Sequence, residues 1–158
     1  MAISKSFDDM ADRYQYRGAM HQVVNDKYGF GQVWLCIAYV DLKEGGDTFW
    51  LMATRKANDW HWIEDTNFIL LVDGQRFTGV GDVRDSEVTQ EQGFFETKVL
   101  CNEEIHCGGD FGILELIANS STTKFRLGNV DFVLPLGLIS DAKEIVADIK
   151  AGGGYGED

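Results

Sequence analysis

The sequence predicts an α+β domain: mostly antiparallel strands forming a sandwich or a curved, barrel-like sheet, with one short internal helix and a C-terminal amphipathic helix. Three observations predict it. Runs rich in β-branched and aromatic residues recur between Gly, Asp and Asn turns. Two of those turns set strand registers that make sense on both faces of a hairpin. The hydrophobic period lengthens to three or four residues in only two places, after Asp110 and after Asp141.

A chain of 158 residues fits one domain, and at this size folding buries about 70% of the unfolded surface, so no disulfide or metal is required for stability. Residues 1–18 are polar and read as a partly ordered N-terminal segment with a short helix near Phe7 to Arg13. Residues 19–150 form a single β-rich domain, and the Gly-rich 151–158 is a flexible tail.

"QVWLCIAYVDL" is apolar on both faces, which suits a central strand, and Lys43-Glu-Gly-Gly46 supplies the turn after it. "DTFWLMAT" follows as its hairpin partner, with Phe49, Leu51 and Ala53 on one face and Thr48, Trp50, Met52 and Thr54 on the other. "RKANDW" is turn-like, and "WHWIE" resumes extended structure. In "NFILLVDGQRFTGV" the Asp73-Gly74 pair calls for a type I′ turn, which faces Val72 with Gln75 and Leu70 with Phe77. Phe68, Leu70, Val72 and Phe77 then point inward.

"GVGDVRDSEVTQEQG" reads as a glycine- and acid-rich connection, and "FFETKVLC" as a strand with Phe95, Thr97, Val99 and Cys101 on one side. Phe111, Leu114 and Ile117 make a helical stripe with Asp110 as N-cap, ending near Asn119. "TTKFRLGNVDFVLP" is a second hairpin around Gly128-Asn129, where Arg126 faces Asp131 and Phe125 faces Phe132. Pro135 ends it, having no N–H for a ladder. In "SDAKEIVADIK", Asp141 is read as N-cap and Ala142, Ile145, Val146 and Ile149 form one apolar face.

Fourteen basic against 26 acidic residues give a formal charge of −12, a field that repels phosphate backbones and anionic lipid surfaces. Neither nucleic acid nor membrane is an expected partner. The N-terminus lacks an apolar h-region before a small-residue cleavage site, and no run of about 18 apolar residues occurs. Three cysteines, an odd number, do not form a disulfide framework. A cytoplasmic location is expected.

Cys101, His106 and Cys107 are the only cluster of soft and borderline metal ligands, and their chemistry suits zinc, but their spacing does not resemble C-x2-C. The same residues would be the raw material of a Cys-His nucleophile, without an activating signature around them. Asp82, Asp85 and Glu87 do not follow the twelve-residue calcium-loop pattern. Gly29-Phe-Gly31 and Gly79-Val-Gly81 stop at G-x-G, and no serine sits in G-x-S-x-G. No cofactor is expected.

The aromatics remain. On a strand, Trp60 and Trp62 project to one face, and two exposed tryptophans would show roughly 300 to 500 Å², the size of the largest apolar patch on a typical monomer. They lie beneath the terminal helix or they form a contact surface. The leading expectation is a non-catalytic module binding a protein partner or a small ligand through aromatic surface at Trp60 and Trp62. The alternatives are a small metal protein or enzyme using Cys101, His106 and Cys107, and a homo-oligomeric assembly component joined through open strand edges.

Overall fold

The computed structural model describes residues 3–26, 29–43 and 47–152. In chain order the elements are β1 (Ser4–Asp8), β2 (Arg13–Arg17), β3 (His21–Asp26), β4 (Gly31–Leu42), β5 (Thr48–Ala57), β6 (Asn67–Val72), β7 (Gln75–Val80), β8 (Asp82–Gln92), β9 (Thr97–Gly109), α1 (Phe111–Ala118), β10 (Thr123–Leu127), β11 (Val130–Val133) and α2 (Leu136–Lys150). They make the expected mostly antiparallel α+β arrangement as two open sheets, not a closed barrel.

The larger sheet runs β1-β2-β4-β5-β9-β8, and the smaller runs β11-β10-β6-β7. The apolar run of β4 is central, as its two-faced pattern implies. It pairs with β5 along one edge, and its other edge is shared end to end by β2, at Ala38–Leu42, and β3, at Gly31–Leu35. One face of the large sheet meets the small sheet and both helices in a single core. That core takes Leu35, Ile37, Phe49, Leu51 and Ile105 from one side and Leu70, Phe125, Leu114, Ile145 and Ile149 from the other. None of the described helices is long and apolar enough to cross a membrane.

The locally coded elements match their sequence signals. At Asp73-Gly74 both central residues have positive φ, 46° and 88°, with Val72 opposite Gln75 and Leu70 opposite Phe77. In the second hairpin only Gly128 is left-handed, at φ 60°, and Arg126 meets Asp131 through two hydrogen bonds of 2.5 and 3.0 Å. Asp110 caps α1 by accepting the Ile113 N–H at 3.0 Å.

Several expectations are corrected. The N-terminal segment is the hairpin β1–β2 rather than a helix near Phe7, its strands bonded from Ser4 opposite Arg17 to Asp8 opposite Arg13. "RKA" continues β5 instead of turning. The acidic connection after Gly81 is the eleven-residue strand β8, and Phe95 lies in the turn before β9. Helix α2 begins five residues before Asp141, so that residue is buried mid-helix, where it accepts the Ala19 N–H at 3.1 Å and meets His21 Nε2 at 2.8 Å. Glu44-Gly45-Gly46 and residues 153–158 of the tail lie outside the described residues.

Candidate functional site

Trp60-His61-Trp62 is not a strand but part of the connection between β5 and β6, and a buried carboxylate sets its path. Glu103, on the core face of β9, is 1% exposed. Its Oε1 accepts the backbone N–H groups of His61, Trp62 and Ile63 at 3.0, 2.7 and 3.1 Å. Its Oε2 takes Arg55 Nη1 at 3.0 Å. Arg55, equally buried, also donates to the carbonyls of Phe30 and Asp59, each at 2.9 Å, and to Asp59 Oδ1 at 2.6 Å. A buried ion pair is stable only when further hydrogen bonds satisfy its partners, and here each partner makes four.

This clamp folds the loop inward. Trp62 is fully buried, its ring 6.1 Å from Phe30 and 6.3 Å from Phe132, so it is core beneath the β10–β11 hairpin. Trp60 is half-buried. His61 stands edge-on to Phe30 at 4.9 Å, with Nε2 2.9 Å from Asn129 Oδ1. The strand alternation that would have paired Trp60 and Trp62 on one face is absent.

Cys101, His106 and Cys107 all belong to β9, which runs on eight residues past the end of "FFETKVLC". Alternation puts Cys101 and Cys107 on the core face with Glu103 and Ile105, but six residues of strand separate the two cysteines by about 20 Å. His106 points to the opposite face. Among the described residues, no group of three or more His, Cys, Asp or Glu side chains is placed to hold a metal. Burial pushes the Cys107 thiol up to about 12 and raises that of Cys36 as well; both stay protonated and poorly nucleophilic at neutral pH. Asp82, Asp85 and Glu87 are spread along β8, opposite His106, Glu104 and Asn102.

The face of the large sheet away from the core carries a different aromatic site. Trp50 on β5 lies between Ala38 of β4 and Gly108 of β9, two small neighbours. A Cβ at Gly108 would come within 2.7 Å of Trp50 Cζ3, so the indole rests against the β9 backbone where only glycine fits. The Arg84 guanidinium stands 5.6 Å from that ring, and the His106 ring 6.0 Å. His106 Nε2 is buried and makes no hydrogen bond among the described residues, although Glu104 Oε2 is 3.3 Å away. Burial, outweighing the Glu104 charge, lowers the imidazole pKa below its ordinary value, so the ring is neutral at pH 7.

Around these residues opens a cavity of about 520 Å³, with Arg17, Ala38, Trp50, Arg84, Glu104 and His106 in its walls. The sequence offered one part of this, Trp50 on the face opposite Phe49. Gly108 and His106 join it only through the β5–β9 pairing, between segments some fifty residues apart. Compared with models of protein families, with curated proteins and with solved structures, the chain finds no match in any of the three.

Proposed function

We propose that the protein is a non-catalytic cytoplasmic module that binds a small ligand through an aromatic surface, and that this surface is the Trp50 face rather than Trp60 and Trp62. The observation that carries the reading is the Trp50 indole laid over Gly108, with Arg84 at 5.6 Å and His106 at 6.0 Å, inside a cavity of about 520 Å³. A concave site of this size, part aromatic and part polar, suits a small molecule; a protein partner would be expected to use a flatter and larger patch. The Arg84 fork supplies directional contacts beside a stacking surface, and His106 packs against the indole.

Three further observations support the wider reading. The cysteines are buried and unpaired, in keeping with a thiol-reducing compartment. The charge of −12 disfavours nucleic acid and anionic membrane as ligands. The raised thiol pKa of Cys107 argues against cysteine chemistry.

Isothermal calorimetry against a panel of aromatic carboxylic acids, nucleosides and monosaccharides tests the proposal. At least one class binds the wild type, and Trp50→Ala weakens that binding about tenfold or more, as loss of an aromatic partner implies, while its circular dichroism spectrum stays that of the folded protein. Binding indifferent to Trp50→Ala, or heat from no class, would overturn it.

A further inference from the structure

The outer face of the large sheet carries a transverse row in which Arg17 of β2 lies opposite Ala38 of β4, Ala38 opposite Trp50 of β5, and Trp50 opposite Gly108 of β9. Tyr16, Ile37, Phe49 and Cys107, one position away on the same strands, belong to the core, so alternation turns the whole row outward. Ala38 and Gly108 keep the cavity floor low on both sides of the indole. Arg84 stands beyond Gly108 on β8, and four strand spacings, about 19 Å, separate β8 from β2. The two arginines therefore approach Trp50 from opposite sides.

In the walls of this cavity two guanidinium groups stand against a single carboxylate, that of Glu104, in a chain whose formal charge is −12. Neither arginine is held by a strong partner. Among the described residues Arg17 forms no ion pair, its Nη2 lying 4.0 Å from Met20 Sδ. Arg84 has Asp82 at 3.8 Å, an exposed pair of the kind that contributes little. Both charges reach the floor, since after burial they help to keep the His106 ring neutral. The acidic residues elsewhere repel an anion in solution, but physiological salt screens them beyond about 8 Å. The arginines act at contact.

We propose that the ligand of this cavity is a planar ring bearing one anionic group, a carboxylate or a phosphate: the ring stacks on Trp50, Arg17 holds the anion, and Arg84 adds its charge from the β8 side. The assignment rests on the reading of Trp50 as the binding surface. A guanidinium fork matches the paired oxygens of either anion. Glu104, with Oε2 3.3 Å from His106 Nε2, disfavours a second anionic group on the ligand by like-charge repulsion.

Calorimetry of the full chain at physiological salt with two matched pairs of probes tests it: indole-3-carboxylate against indole-3-carboxamide, and adenosine monophosphate against adenosine. The anion of at least one pair binds about tenfold or more tighter than its neutral counterpart, the size of one hydrogen bond to a charged group. The pair that shows the difference tells carboxylate from phosphate. Arg17→Gln removes most of that advantage and Arg84→Gln part of it, whereas Arg126→Gln, which breaks the Asp131 pair on the small sheet, leaves it intact. All three side chains are exposed, so each variant keeps the circular dichroism spectrum of the folded protein. Anionic and neutral probes that bind alike, with binding still lost in Trp50→Ala, overturn the anion assignment and leave the stacking surface standing. An anion advantage unchanged in both Arg17→Gln and Arg84→Gln overturns it as well. Heat from none of the four probes also overturns it, and the wider ligand panel then decides the Trp50 reading separately.

Discussion

Glu103 fixes the path of a whole loop from inside the core. One carboxylate satisfies three consecutive loop amides and the Arg55 guanidinium. Replacing it with alanine leaves a buried cation and three N–H groups without their acceptor. Glu103→Ala is expected to lose about 3–5 kcal/mol, the usual result of breaking a buried pair from one side. Urea denaturation measures it, and a loss below about 1 kcal/mol, the range of a surface pair, would contradict a structural role for Glu103. In the sequence Glu103 is one of 26 acidic residues. A signal was present, since Cys101, Ile105 and Cys107 share its strand parity, but using it required knowing that β9 runs on past Cys101. Asp141 misled in a similar way: Asp before an apolar stripe looks like an N-cap, and only the fold brings His21 and Ala19 to it.

At the scale of elements, what was legible was local. The hairpins at Asp73-Gly74 and Gly128-Asn129 and the Asp110 cap depend on residues within a few positions of each other. Strand β8 was illegible because nearly all its residues are exposed, so no hydrophobic alternation marks it. The same distinction sorts two glycines. Gly74 needs positive φ but has open space around it, whereas a Cβ at Gly81 would meet Ile105 Cγ2 at 2.6 Å and Cys107 Sγ at 3.1 Å. Gly81 is where the chain passes from β7 in one sheet to β8 in the other. Gly74→Ala is expected to lose about 1 kcal/mol from backbone strain, and Gly81→Ala about 2–3 kcal/mol from overpacking. Equal urea midpoints for the two variants would contradict this ordering.

For the molecule as a whole, the N-terminal hairpin and α2 are joined by a titrating contact. Tyr16 donates its hydroxyl to Asp148 at 2.7 Å, and Lys5 Nζ lies 2.9 Å from the same carboxylate. Burial first, then Asp148, raises the Tyr16 pKa. The folded form therefore holds that proton more tightly than the unfolded chain. The resulting stability is complete below the ordinary tyrosine value of about 10 and is lost as pH climbs above it. Asp148 runs the other way: Lys5 and then Tyr16 lower its pKa, so its contribution is present above the usual aspartate value and fades as acid protonates it. Tyr16→Phe is expected to shrink the fall in urea midpoint between neutral and strongly alkaline pH, leaving the part due to the buried thiols of Cys36 and Cys107, the latter pushed up to about 12. An alkaline fall unchanged in that variant would exclude Tyr16 as its source.

The order of the small sheet has a consequence for synthesis. Strand β6 has two partners: β7 follows it after a two-residue turn, but β10 is made about 50 residues later, with Val72 opposite Thr123. At ~5–20 residues per second the ribosome takes roughly 3–10 s to cover that interval. Throughout it the nascent chain carries Phe68, Leu70 and Val72 on a strand with one open edge, while β8, β9 and α1 are still emerging. The small sheet therefore closes late, and those seconds are when the growing chain has most need of a chaperone.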